Sequence, residues 1–194
     1  MANTVTNIIK IVANNAAIDA VDERFINAGG YSETGKFVKA FYDNPELSEN
    51  GEGVMFSWSL DHVGSKWIYV ENEIDNGEWN IASASYYPHE FLQRLFELVT
   101  VIDPEGYIEN RYNDETYEPT GVVVFKKDSN GVPRWFEIEE QLENPTDDMD
   151  WEDENYDEAQ SQFMDSIYDF QEESVAEAIE TIASGSGNEF KTIQ

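Results

Sequence analysis

The chain has no cysteine among its 194 residues. That excludes disulfides, thiolate metal ligands and a thiol nucleophile, and it suits a reducing compartment. Basic residues are scarce: 11 Lys and Arg stand against 41 Asp and Glu, for a net charge of −30 at pH 7. Such a field repels nucleic acid and anionic membranes and attracts basic surfaces. Histidine occurs only at His62 and His89. No apolar stretch approaches the roughly 20 residues that span a bilayer. The opening MANTVTNIIKIVANN has no basic start followed by a long apolar run. Neither a membrane span nor a secretory signal is expected, and the expected location is the cytoplasm. Gly-rich phosphate loops are missing as well. NAGGY and SGSGN lack the strand–loop–helix setting and the lysine, and Gly64-Ser65-Lys66 is no Walker motif.

What is present is 40% hydrophobic and 13% aromatic, enough for one domain with a real core, alone or with an appendage. The charge is segregated. From Met1 to Arg134 there are 22 acidic and 10 basic residues; from Trp135 to Gln194 there are 19 acidic residues and one basic, Lys191. The chain therefore has a moderately acidic body and a strongly acidic C-terminal region.

VTNIIKIVA (5–13) is β-branched and apolar and reads as a central strand. A helix follows, capped by Asn14 or Asn15, with Ile18, Val21 and Phe25 as its stripe and Gly29-Gly30 as its stop. GKFVKAFYDNP reads as a short helix with Phe37, Val38 and Phe41 inward, and VMFSWSLDH (54–62) as a strand. Residues 66–87 read as two strands around Asp75-Asn76-Gly77, where Asn-Gly favours a type I′ turn. Pro88 opens a helix carrying Phe91, Leu92, Leu95, Phe96, Leu98 and Val99, and GYIENRYND, GVVVFKKD and RWFEIEE follow as strands. This order predicts an α+β fold over residues 1–140: a ferredoxin-like, split-βαβ antiparallel sheet with helices on one face. Residues 141–194 read as an acidic linker and one long helix (155–183) capped by Asn155. Its apolar seam is Phe163, Ile167, Phe170, Ser174, Ala178 and Ile182, widened by Met164, Val175 and Ile179. The seam must pack on the body, on a second copy or on a target.

ANTVTNIIKIVAN, VGSKW (63–67), YYPHEF and YNDETYEPTG (112–121) together resemble the Api92-like family. Asn3, Val5, Asn7, Ile9 and Ile11 fit its opening, while Thr4, Ala13, Thr116 and Pro119 depart from its motifs. The resemblance covers roughly residues 2–125. It implies a ferredoxin-like fold and a home on bacteriophages and mobile elements, and it implies no activity.

Chemistry is thinly signalled. His62 ends the 54–62 segment and His89 begins a helix, which reads as surface or capping histidines; acid–base work needs a partner held within about 3 Å. In the acidic run, Asp148, Asp150 and Glu152 alternate like the first ligands of a calcium loop. The sixth and twelfth places hold Asp153 and Ala159 where an EF-hand needs Gly and Glu. No metal and no cofactor are expected. Phe56, Trp58, Trp67 and Tyr69 could stack RNA bases if they faced outward, but the basic flanks are sparse, so a core role is expected for them.

Eight of the twelve residues from Asp147 to Glu158 are carboxylates. That is about one per 2.3 Å if helical and about one per 5 Å if extended. Duplex DNA carries one charge per ~1.7 Å and a single strand one per ~3.4 Å, so the run brackets nucleic acid. The expectation is a non-enzymatic, phage-type accessory protein. It would bind and inhibit a basic host protein, such as a nuclease, CRISPR effector or transcription factor, partly by nucleic-acid mimicry, without touching nucleic acid or membrane itself. Its expected contact residues are Asp147, Asp148, Asp150, Trp151, Glu152, Asp153, Glu154, Tyr156, Asp157 and Glu158, with Phe163 as a further aromatic anchor. The rivals are an assembly protein that forms a homodimer through the 155–183 helix and a hydrolase using His62 or His89.

Overall fold

The computed structural model describes residues 3–27, 40–43, 56–71, 74–117, 119–146, 149, 150, 152 and 154–190. Along the chain run β1 (Thr4–Val12), α1 (Asn15–Asn27), α2 (Phe56–His62), β2 (Ile68–Val70), β3 (Glu78–Ala84), α3 (His89–Ile102), β4 (Tyr107–Asp114), β5 (Thr120–Lys127), β6 (Pro133–Glu140), α4 (Tyr156–Ala183) and β7 (Asn188–Glu189). The strands form one sheet in the order β2-β3-β1-β4-β5-β6-β7, and every neighbouring pair is antiparallel. The fold is therefore mixed α+β with a seven-stranded antiparallel sheet, larger than a split-βαβ unit.

The alternation of β1 sets the layers. Val5, Asn7, Ile9 and Ile11 are buried while Thr6 and Lys10 are exposed, as a two-residue repeat with one covered face requires. Register puts Ile9 opposite Trp79 on β3 and Asn110 on β4. Onto that face α1 brings Ala17, Val21 and Phe25, and α3 brings Phe91, Leu92, Leu95, Phe96 and Val99. Phe25 meets Trp79 edge-on with centroids 4.5 Å apart, and Phe41 bridges Phe25 and Phe91 at 4.9 and 5.1 Å. Asn14 caps α1: its Oδ1 accepts the Ala17 N–H at 3.1 Å. The Asn76-Gly77 turn has the expected hand, with φ of 51° and 81° and reciprocal Asp75–Glu78 backbone bonds.

Several expectations need correction. Residues 56–62 are the helix α2, not a strand. Trp58 and His62 stack four residues apart with centroids at 4.4 Å, and His62 Nδ1 donates to the Trp58 carbonyl at 2.9 Å; only a helix brings i and i+4 together in this way. Trp58 is buried there, but Tyr69 is 56% exposed beside a half-buried Trp67, so Tyr69 has no core role. Pro88 sits at the N-cap of α3, one place before the first helical residue. Asn155 occupies the N-cap position of α4 without a side-chain cap bond. Phe37, Val38, Gly29 and Gly30 lie outside the described residues.

The seam of α4 packs on the protein's own sheet. From Thr120 to Phe125 every residue of β5 is buried. Val123 and Phe125 point to the α1/α3 layer, while Val122 and Val124 meet Val175, Ala178 and Ile182 of α4 on the opposite face. GVVVF is apolar on both faces because both faces are covered. β7 then pairs with β6 through Arg134↔Glu189 and Trp135↔Asn188.

Candidate binding surfaces: the acidic helix and an aromatic pocket

Two polar ties fix α4. Gln171 is buried, and its Nε2 donates to Asn113 Oδ1 at 3.1 Å and lies 3.3 Å from Thr120 Oγ1 and 3.5 Å from the Tyr112 carbonyl. Arg111 reaches from β4 with Nη1 to Glu172 at 2.7 Å and Nη2 to the buried Glu109 at 3.2 Å. Burial disfavours the Arg111 charge, but the bonds to Glu172 and Glu109 outweigh it and hold its pKa above the ordinary arginine value. Phe163 is buried and meets Tyr117 edge-on at 5.5 Å. The expected aromatic anchor is thus spent inside the protein.

What α4 shows outward is charge. Asp157, Glu158, Asp165, Asp169, Glu172, Glu173, Glu177 and Glu180 are all exposed, and the helix holds no Lys or Arg. At ~100° per residue these eight fall within an arc of about 200°, and the buried residues cluster on the other side. A helix of 28 residues is about 42 Å long, so the row carries roughly one carboxylate per 5 Å. Within it Tyr168 is 60% exposed, and Arg111 lies 5.8 Å from its ring centroid.

Of the expected contact residues, Asp150, Glu152, Glu154, Asp157 and Glu158 are exposed and Tyr156 is half-buried. Asp150 Oδ1 accepts the Glu152 N–H at 3.1 Å, and Glu158 accepts from Gln162 at 3.1 Å. Asp147, Asp148, Trp151 and Asp153 lie outside the described residues. The acidic row beyond Glu158 and the exposed Tyr168 were not among the expected contacts. Their signal was the period of the acids on the back of the 155–183 helix.

A second surface lies on the opposite face of the sheet. A cavity of about 460 Å³ is lined by Tyr42, Asp61, His62, Tyr86, Tyr87, His89, Glu90, Gln93, Arg94, Trp135 and Glu137. It joins α2, the start of α3 and β6. Glu137 Oε1 accepts the Tyr86 hydroxyl at 2.5 Å and the Tyr112 hydroxyl at 2.6 Å; Tyr112 also reaches Glu139 Oε2 at 2.9 Å. Burial, then the neighbouring Glu137 carboxylate, pushes the Tyr87 and Tyr112 hydroxyls well above the usual tyrosine range. Burial does the same to Tyr42, whose hydroxyl donates to the His62 carbonyl at 2.7 Å. Gly64 makes room for Glu90: a Cβ there would lie 2.1 Å from Glu90 Oε2. The two histidines, distant in sequence, thus share one cavity, with Tyr87 Oη 3.4 Å from His89 Nδ1. Because the Trp58 carbonyl only accepts, His62 Nδ1 carries the proton and Nε2 is the remaining basic nitrogen.

Among the described residues no group of three or more His, Asp and Glu could hold a metal ion, and no helix is long and apolar enough to cross a membrane. No protein-family model, curated protein or solved structure matches the chain.

Proposed function

We propose that this protein is a non-enzymatic, phage-type accessory protein that binds and inhibits a basic nucleic-acid-binding or defence protein of the host, partly by presenting a nucleic-acid-like acidic surface. The observation that carries this reading is the orientation of α4. Its apolar seam is consumed by Val122 and Val124, so its outward face is a fixed row of carboxylates rather than a loose tail. A held row loses little conformational entropy on docking, and its field speeds encounter with a cationic groove. Tyr168 supplies an exposed aromatic amid that charge. The same arrangement disfavours the homodimer rival, because the apolar surface that a dimer would share is already covered.

The fold reading behind this proposal is ferredoxin-like. In its support, β4-β1-β3-β2 is the split-βαβ strand order, with α1 and α3 carrying the crossovers and β5–β7 extending the sheet beyond β4. The resemblance of residues 2–125 to the Api92-like family supplies the phage setting.

The test uses the full chain. Truncation after residue 140 would bare Val122 and Val124 and create an adhesive apolar face. The wild type is compared with Asp165→Asn/Asp169→Asn/Glu173→Gln/Glu177→Gln in capture from bacterial lysate at low and moderate salt. The expected result is a nucleic-acid-binding protein held by the wild type alone and released by salt or DNA. Equal capture by both chains would sink the mimic reading.

A hydrolase built on His62 and His89 is the second reading, favoured by their meeting in one cavity. It predicts an activity abolished by either His→Ala change and unaffected by the α4 substitutions.

A further inference from the structure

We propose that the cavity between α2, α3 and β6 is a guanidinium-binding site. The inference is independent of the reading of α4, which lies on the other face of the sheet.

The walls and the charge both point to an organic cation. Tyr42, Tyr86, Tyr87 and Trp135 line the cavity, and aromatic faces attract cations through their quadrupoles. Asp61, Glu90 and Glu137 line it too, and among the described residues no ion pair neutralises any of them. Glu137 is held by two tyrosine hydroxyls, which orient the carboxylate and leave its charge in place. Three carboxylates therefore face a single guanidinium, that of Arg94.

Arg94 itself shows what these walls hold. Its Nε donates to the Phe41 carbonyl at 2.5 Å, and its Cζ lies 4.7 Å from the Tyr42 ring centroid. One wall thus already stacks a planar guanidinium. Of the remaining rings Tyr86 and Trp135 are the open ones, and with the Glu90 and Glu137 carboxylates they supply the same two elements, an aromatic surface and an acceptor edge, for a second one. A compact ammonium meets an aromatic face only as a point charge, whereas a planar guanidinium stacks on the face and presents a fork of N–H donors to a carboxylate, which is why a guanidinium is the better fit. A volume of about 460 Å³ lies within the range of small-molecule sites. The source is either a free small cation or an arginine side chain presented by a protein.

The experiment is calorimetric titration of the full chain with agmatine, N-acetyl-arginine amide and N-acetyl-citrulline amide, the last being the neutral isostere. Intrinsic tryptophan fluorescence, to which Trp135 in the cavity wall contributes, is followed in parallel. Saturable binding of the arginine compound is expected, with the citrulline compound weaker by roughly tenfold or more. Agmatine binding as tightly as the arginine compound assigns the site to free guanidinium cations; binding of the arginine compound alone assigns it to a protein-borne arginine. Glu137→Gln and Glu90→Gln are each expected to weaken binding by a similar factor. Glu90→Gln leaves the tyrosine network untouched, so it reads the charge even if Glu137→Gln perturbs the fold. The α4 quadruple variant is expected to bind agmatine like wild type, which separates failure here from failure of the mimic reading. Equal affinity for arginine and citrulline compounds, no saturable binding of either guanidinium, or unchanged affinity in Glu90→Gln would overturn the proposal.

Discussion

Replacing carboxylates on α4 should make the fold more stable, not less. Counting acidic residues three or four apart gives five like-charge contacts: Asp165–Asp169, Asp169–Glu172, Asp169–Glu173, Glu173–Glu177 and Glu177–Glu180. All of these side chains are exposed and no lysine or arginine lies in the helix. Among the described residues Glu172 alone of these has a cation, Arg111. The double change Asp169→Asn/Glu173→Gln removes four of the five contacts and spares Glu172. Each like-charge pair costs roughly 0.2–0.5 kcal/mol on a helix, and Asn and Gln differ little from Asp and Glu in helix propensity. The variant should therefore gain about 1–2 kcal/mol. Urea unfolding at low ionic strength reads this as a higher midpoint with an unchanged slope. Raising the salt to 1 M, where the Debye length falls to about 3 Å, should shrink the difference. A variant that is less stable than wild type, or a gain that persists undiminished in high salt, would refute the reasoning. Either result would mean that these carboxylates contribute contacts rather than repulsion.

Four further outcomes are expected. Ile182 is fully buried against β5 and β6, so Ile182→Ala should cost about 2–4 kcal/mol, with faster amide exchange in α4 than in α3. Tyr112→Phe and Glu137→Gln should show a coupling of about 1.5–3 kcal/mol in a double-mutant cycle, as befits a hydrogen bond to a charged acceptor; additive effects would remove the bond from the stability argument. Burial raises the hydroxyl pKa values of Tyr42, Tyr87 and Tyr112 above 10.0. Their contribution is fully present below pH 10 and is lost as pH climbs from there toward the folded values, so absorbance at 295 nm should show these tyrosines ionising only as the protein unfolds. Arg134 at 2.7 Å, with the N–H groups of Val132 and Asn130, depresses the Asp128 pKa below 3.8. That contribution is present above pH 3.8 and lost as pH falls through the lower folded value, so Asp128→Asn should be destabilised near neutrality and converge on wild type in acid.

The strands and helices that the sequence makes legible are those with one covered face. β1 alternates, α1 and α3 carry stripes, and Asn76-Gly77 marks its turn chemically. VMFSWSLDH is different, because a short apolar run fits helix and strand equally until a partner decides. Here the Trp58–His62 stack and the Nδ1 bond decide for helix. In α4 the seam was readable, but Gln171 was not, since nothing local predicts that Asn113 and Thr120 will meet its amide. The anchoring aromatic was misplaced for a geometric reason: Phe163 and Tyr168 are five residues apart, about 140° around the helix, so burying one exposes the other. The cavity was invisible in sequence. Its members come from positions 42, 61–62, 86–94 and 135–137, and only the register of β5 and β6 and the packing of α3 bring them together.

If α4 binds a basic partner as proposed, the salt dependence of its binding and of its stability should run in opposite directions, which would separate surface charge kept for binding from charge that is merely tolerated. Several cations in the described residues are engaged by the protein's own carboxylates or rings: Arg111 by Glu109 and Glu172, Arg134 by Asp128 and Glu189, the exposed Lys10 by Glu109, and Lys126 by the Tyr107 ring. Arg111 ties the sheet to α4, and the outward face of that helix stays negative. Self-repulsion is then a standing cost of the fold, relieved by salt. Attraction to a basic groove draws on the same carboxylates and is weakened by salt. One salt series on the wild type, followed by unfolding and by partner capture, should therefore show stability rising while retention falls. If both rose, an apolar contact would hold the partner, and exposed Tyr168 would be the residue to change first.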